Sequence, residues 1–162
     1  MDYFFVFQNR TFYEEKKGGF LWAPKYGKDG GTKSHWAMMK NVHKGDAIIH
    51  SVKKEIVAIS FALSDCYSSP RPEGGFTDWE RDGWRVDVEY HTFRRGIITS
   101  DYMETLMKLQ PGVYAPFNSI GRGNTGYLFK ANKAMYEFIV EKTSLLQRTS
   151  LEKDKVLELL IR

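Results

Sequence analysis

The chain has 162 residues, enough for one hydrophobic core, and its 42% hydrophobic and 27% charged residues place it among ordinary globular proteins. No apolar run approaches the roughly 20 residues of a membrane span, and a single cysteine, Cys66, excludes an internal disulfide and a cysteine zinc cluster. A net charge of +4 leans toward a polyanionic partner, and aromatic residues make up 15% of the chain.

Residues 1–10, MDYFFVFQNR, carry no basic n-region and no small-residue cleavage site. They predict a first strand over 2–9 that ends in the polar cluster Gln8-Asn9-Arg10, and with the lone cysteine they fit a cytoplasmic protein. Thr11 is placed to cap a short helix over FYEEKKG, whose acidic residues come first and lysines last, as a helix dipole prefers. After a Gly-rich stretch, Ser34 caps HWAMMKNV, where Trp36 and Met39 repeat at helical spacing, so Trp36 reads as core. DAIIHSV (46–52) and EIVAISFALSDCY (55–67) flank Lys53-Lys54 and predict two central strands joined by a tight hairpin. Between Ser68 and Gly83 lies a long Pro- and Gly-containing loop that carries Phe76 and Trp79.

WRVDVEYHTF (84–93) alternates Val86, Val88 and Tyr90 with charged residues and predicts a strand with one polar face. SDYMETLMKLQPG predicts a helix, and VYAPFNSIGRGNTGYLFKAN an interrupted strand with a glycine-rich turn. From Lys133 the chain is amphipathic and helical, with Ser150 capping the last segment. The pattern is an α+β fold: a small mixed, mostly antiparallel β-barrel flanked by short helices, because closure removes exposed sheet edges. The domain is expected over residues 1–142, with 143–162 as a C-terminal helix that can link to a further domain.

Catalytic motifs are incomplete. GKDGGTKS (27–34) resembles a P-loop in spelling, but Thr32 stands where the second glycine must let the backbone wrap phosphates. His35, His43, His50 and His91 lack metal-ligand spacing, and no metal or cofactor is expected. Asp87 and Glu89 resemble a nuclease carboxylate pair without its lysine continuation, so a small nuclease stays an alternative and the main expectation is a protein that is not an enzyme. A third alternative is an interaction module with a barrel-end pocket for a small aromatic metabolite. Trp22, Trp79 and Trp84 fall outside regular apolar periodicity, and indole faces hold a flat base well.

FFVFQNRTFYEEKKGGFLWAP resembles the opening of the EVE and YTH branches of the PUA-like superfamily: a Phe-rich strand ending in a polar residue, a short helix, then Gly-x-Trp. HWAMMKNVHKGDAIIHSVKKEIVAISFALSDCY is similar to the next portion, with its Gly-Asp turn, and FTDWERDGWRVDVEY to the paired-tryptophan loop and W-x-V-D-V strand. The likeness covers roughly residues 3–130. It implies a reader in which Trp22, Trp79 and Trp84 cage a modified, flipped base, while Asn9 and Ser51 meet its edge. Arg10, Lys25, Lys28, Lys33 and Arg122 would hold the nucleic-acid backbone, with the amides of IGRGN as a phosphate nest. Modified DNA is favoured over N6-methyladenine-type RNA, in a modification-dependent restriction or defence system with a fused or associated nuclease or ATPase.

Overall fold

The computed structural model describes residues 1–74, 76 and 81–145. Its strands are β1 (Tyr3–Phe7), β2 (Phe20–Pro24), β3 (Ala47–Val52), β4 (Glu55–Ala62), β5 (Tyr67–Pro70), β6 (Asp82–Ile98) and β7 (Leu128–Lys130). Between them lie α1 (Phe12–Gly18), α2 (Ser34–Ala37) and α3 (Met103–Leu109), and the chain is helical again over 133–145, here α4. The sheet order is β2-β6-β4-β3-β1-β7, with β5 paired to the start of β6. Only β1 and β3 run parallel in these pairings.

The continuous apolar runs of the central strands follow from burial on both faces. Phe4 and Val6 of β1 pack into a first cluster with Leu21, Ile48, Val86 and Leu128, whereas Phe5 between them joins Ile49, Ile56 and Ile97 on the other face. Leu106 of α3 with Met135 and Ile139 of α4 covers that second face. The sheet curls into the expected mixed barrel, and the hairpin around Lys53-Lys54 is present.

Some local expectations change. Residues 20–24 form a strand, with every residue buried, inside what reads in sequence as a glycine-rich stretch. β6 extends over 17 residues because its first half pairs with β2 and β5 and its second with β4. Ser34 is the first helical residue rather than a cap, and the helix gives way to a 3-10 turn at Met38–Asn41. Ser150 and the segment it was expected to cap lie outside the described residues.

The terminal strands β2 and β7 share no ladder; side chains bridge that seam. Glu15 of α1 is fully buried instead of facing solvent as a dipole partner. Its Oε1 accepts hydrogen bonds from the Trp22 backbone N–H of β2 (3.0 Å) and from the hydroxyl of Tyr127, which directly precedes β7. Its Oε2 accepts from the Thr11 hydroxyl (3.1 Å) and from Gln8 Nε2. Thr11 thus serves the carboxyl, and makes no side-chain cap for α1. Gln8 Nε2 also donates to Tyr90 Oη (3.0 Å), whose own proton goes to the Phe20 carbonyl (2.8 Å). Gln8 Oε1 lies 2.6 Å from His50 Nδ1, and His50 Nε2 lies 2.7 Å from the Ser60 hydroxyl. With Gln8 oriented so that its amide donates to Glu15, His50 carries its proton on Nδ1 and Ser60 donates to Nε2.

Burial raises the Glu15 carboxyl from 4.5 to about 7 against the lowering effect of its hydrogen bonds, and burial depresses His50 from 6.5 to about 3. The signs oppose. The folded state holds the Glu15 proton more tightly than the unfolded chain, so this group's contribution falls as pH rises from 4.5 to 7. His50 contributes fully above 6.5 and loses its contribution as pH falls toward 3. Urea unfolding from pH 4.5 to 7 should show Glu15→Gln gaining about 3 kcal/mol relative to wild type across that window. A pH-independent difference would show that Glu15 keeps an ordinary acidity.

Candidate nucleic-acid interface

Parallel pairing brings the ends of β1 and β3 to one edge of the barrel, with Phe7 opposite Ser51. Beyond β3 the chain reverses through Lys53 and Lys54, both left-handed, with φ of 48° and 67°. Such a two-residue hairpin turn ordinarily uses Asn-Gly, because a Cβ is disfavoured at positive φ. Contacts from both sides hold the lysines there. Asn9 Oδ1 accepts the Lys53 N–H (2.7 Å), and the Lys54 carbonyl accepts the backbone N–H and the hydroxyl of Thr99 (each 3.0 Å).

This turn borders a cleft of about 1060 Å³ whose apolar wall includes Phe7, Met103 and Phe117 and whose basic groups are Lys53, Lys54 and Arg122. Ser51 also lines it, 1% exposed, and its hydroxyl has no hydrogen-bond partner. A buried unpaired hydroxyl costs roughly 1–3 kcal/mol. Asn9 uses its oxygen on Lys53, which leaves its NH2 group available. Asn9, Ser51 and Arg122, three of the expected site residues, therefore meet in one cleft.

The loop carrying Arg122 is folded around Asn118. Asn118 Oδ1 accepts the N–H groups of Ile120 (3.1 Å) and Arg122 (3.0 Å), and its carbonyl accepts that of Gly121 (3.1 Å). The Asn124 N–H goes to the Pro116 carbonyl (2.7 Å). Four of the five amides of IGRGN, those of Ile120, Gly121, Arg122 and Asn124, thus serve the loop itself and are not turned to a phosphate as the expected nest requires. What the loop offers is the Arg122 side chain.

A smaller pocket of about 260 Å³ adjoins the cleft and shares Phe7, Asn9 and Gly126 with it. Arg10, Thr11, His35, Trp36 and Tyr127 complete its lining. His35 Nδ1 accepts the Tyr127 N–H (3.0 Å), so the ring carries its proton on Nε2. Burial and the Lys33 charge lower its pKa and favour the neutral ring. Gly126 has φ of 151°, and a Cβ there would stand 2.7 Å from the imidazole.

The tryptophans do not converge as expected. In the β2–β6 register Trp22 lies opposite Arg85 and Ala23 opposite Trp84, so Trp22 and Trp84 point to opposite faces of the ladder. One cage cannot use both. Trp22 is fully buried against Phe20 and Phe76, and its Nε1–H donates to the Ser69 carbonyl (3.1 Å). Its indole crosses Gly83, where a Cβ would fall 2.1 Å from the ring. Trp84 is half-buried, with Lys25 Nζ 4.5 Å and Lys40 Nζ 5.3 Å from its ring centroid. Trp79 lies outside the described residues.

Lys28 and Lys33 sit on an exposed turn, closed by hydrogen bonds from the Gly27 and Gly30 amides to the Gly31 and Gly27 carbonyls, and Lys33 lies 3.8 Å from Asp29. The Gly27, Gly30 and Gly31 amides of this P-loop-like segment are used internally. Asp87 accepts hydrogen bonds from Arg85 Nε (2.9 Å) and the Tyr67 hydroxyl, while Glu89 pairs with His91 at 3.4 Å. Among the described residues no three His, Cys, Asp or Glu side chains are grouped to hold a metal.

Lys53, Lys54 and Phe117 were not marked as site residues by sequence reasoning. The available signal was two lysines where the turn chemistry asks for Asn-Gly. Replacing them, as Lys53→Asn with Lys54→Gly, should raise stability by about 1 kcal/mol or more, measured by urea denaturation. A loss of stability would mean that the lysine side chains contribute more to folding than their backbone strain costs.

Neither a protein-family model nor a curated protein matches this chain. Its fold does match solved structures. A Leishmania major hypothetical protein aligns with TM-score 0.60 at 8% identity, covering 91% of this chain and 97% of that one. Human THYN1, in complex with 5-methylcytosine-containing DNA, aligns with TM-score 0.52 at 10% identity over 88% and 98% of the two chains. The N-terminal domain of Staphylothermus marinus McrB aligns with TM-score 0.50 at 14% identity over 86% and 93%. At these identities the likeness is one of fold alone, and the chain has a PUA-like α+β fold.

Proposed function

We propose that this chain is a non-catalytic reader of a modified base in nucleic acid, DNA before RNA, and that the backbone lies in the cleft at the ends of β1 and β3. The observation that carries the reading is the meeting of Asn9, Ser51 and Arg122 with Lys53 and Lys54 around an unpartnered buried hydroxyl. Cations at the cleft supply sequence-independent affinity by neutralising phosphates, and fixed polar groups supply discrimination. The shared fold with THYN1, which is bound to methylated DNA, and with the McrB N-terminal domain supports the reading. A modification-dependent restriction or defence system, with a nuclease or ATPase module as partner, is the setting it suits.

Anisotropy titrations with DNA and RNA oligonucleotides, unmodified or carrying 5-methylcytosine or N6-methyladenine, test this. One modified DNA should bind most tightly. Lys53→Ala with Lys54→Ala should weaken binding to every oligonucleotide and reduce the magnitude of the salt slope by about 2. Equal affinity for all wild-type ligands would overturn the reading.

A further inference from the structure

We infer that the extruded base is read in the smaller pocket beside the cleft, against Trp36 and His35, a deeper statement of the proposed function that rests on it. Sequence periodicity assigns Trp36 to the core, and the structure gives it a second face. It packs, partly buried, against the cluster that includes Leu21, Ile48 and Leu128, and it also lines the pocket.

Size and position favour this seat. A volume of 260 Å³ equals the liquid share of about nine waters, room for one heterocycle of about ten non-hydrogen atoms. Because Phe7, Asn9 and Gly126 belong to both spaces, a nucleotide can leave its phosphates with Lys53, Lys54 and Arg122 while its base enters next door. Aromatic groups line several sides: His35 and Trp36 meet edge to face at 5.2 Å and 67°, with Phe7 and Tyr127 completing the wall. Trp22, by contrast, is fully enclosed.

The polar groups specify a ligand edge. Thr11 and Tyr127 also line the pocket, but their hydroxyl protons are committed to Glu15, which anchors that part of the wall. The groups left to a ligand are donors: the Asn9 NH2, the His35 Nε2–H and the Arg10 guanidinium. Such a set suits a base edge with adjacent acceptors, a ring carbonyl beside a ring nitrogen as in a cytosine-type pyrimidine. It suits an edge dominated by amino groups poorly. Gly126 is part of the device, since a Cβ there would push His35 out of place.

The test applies the same oligonucleotides to Trp36→Leu, His35→Gln and Gly126→Ala, with Trp22→Phe as comparator and thermal melting to confirm folding. Trp36→Leu should reduce the preference for the modified oligonucleotide about 10-fold or more, leaving salt-sensitive binding to unmodified DNA. His35→Gln and Gly126→Ala should reduce it as well, and Trp22→Phe should leave it in place. A wild-type preference that survives in folded Trp36→Leu and His35→Gln overturns the pocket assignment and leaves the reader function standing. If Trp36→Leu does not fold, His35→Gln and Gly126→Ala decide by the same criterion. A wild-type protein without any preference overturns both.

Discussion

At the seam between β2 and β7 the barrel has no ladder, and a buried carboxyl does the joining. Glu15 draws the Trp22 amide from one side and the Tyr127 hydroxyl from the other, with Thr11 and Gln8 behind. An isolated buried carboxyl would be unfavourable; four converging donors offset much of its desolvation. Beyond Glu15 the hydrogen bonds continue through Gln8 to Tyr90, His50 and Ser60, so β1, β3, β4 and β6 connect to the same point. Networks of this kind specify one arrangement of strands, because a slipped register leaves several buried donors unpaired at once.

That arrangement also shapes the surface. Gln8 is locked on both sides, so the chain emerging from β1 presents Asn9 and Arg10 at a fixed edge. The Gln8 amide donates to the Ser51 carbonyl, and its own carbonyl accepts from Thr11 and Phe12. Thr11 and Tyr127 face the small pocket from their positions on Glu15. Nearby, the lysine turn is held against its conformational preference by Asn9 and Thr99. Strain that persists where a surrounding structure over-determines it is characteristic of working sites, and here it places two cations at a cleft wall.

Much of the architecture was legible in sequence because it depends on local pattern. DAIIHSV and EIVAISFA announced a hairpin through β-branched runs around a short turn, and FFVF read as a strand that burial on both faces then explained. The site was legible in part. Asn9 lies two residues beyond β1 and Ser51 next to last in β3, and both line one cleft with Arg122. The tryptophans misled for a geometric reason: Trp22 and Trp84 look like partners in a list of residues, but an offset of one position in an antiparallel register turns them to opposite faces. FYEEKKG read as a helix with its acids at the favourable end, and periodicity over so short a segment could not show that Glu15 faces inward.

What the sequence by itself determined was the class of fold, the first strand, the central hairpin, the short helices and a basic, aromatic-rich character, since these follow from periodicity, turn residues and composition; β2 and β5 (Tyr67–Pro70), within segments that read as a Gly-rich stretch and a loop, did not follow from them. Tertiary structure alone decided which face each aromatic takes, that a glutamate closes the barrel, and that Trp36, His35 and two lysines stand beside Asn9. Those facts depend on pairings between segments far apart in the chain: Glu15 with Tyr127, Asn9 with Lys53, His35 with Tyr127. No local pattern encodes such a pairing, because the energy that selects it appears only when the whole sheet has curled.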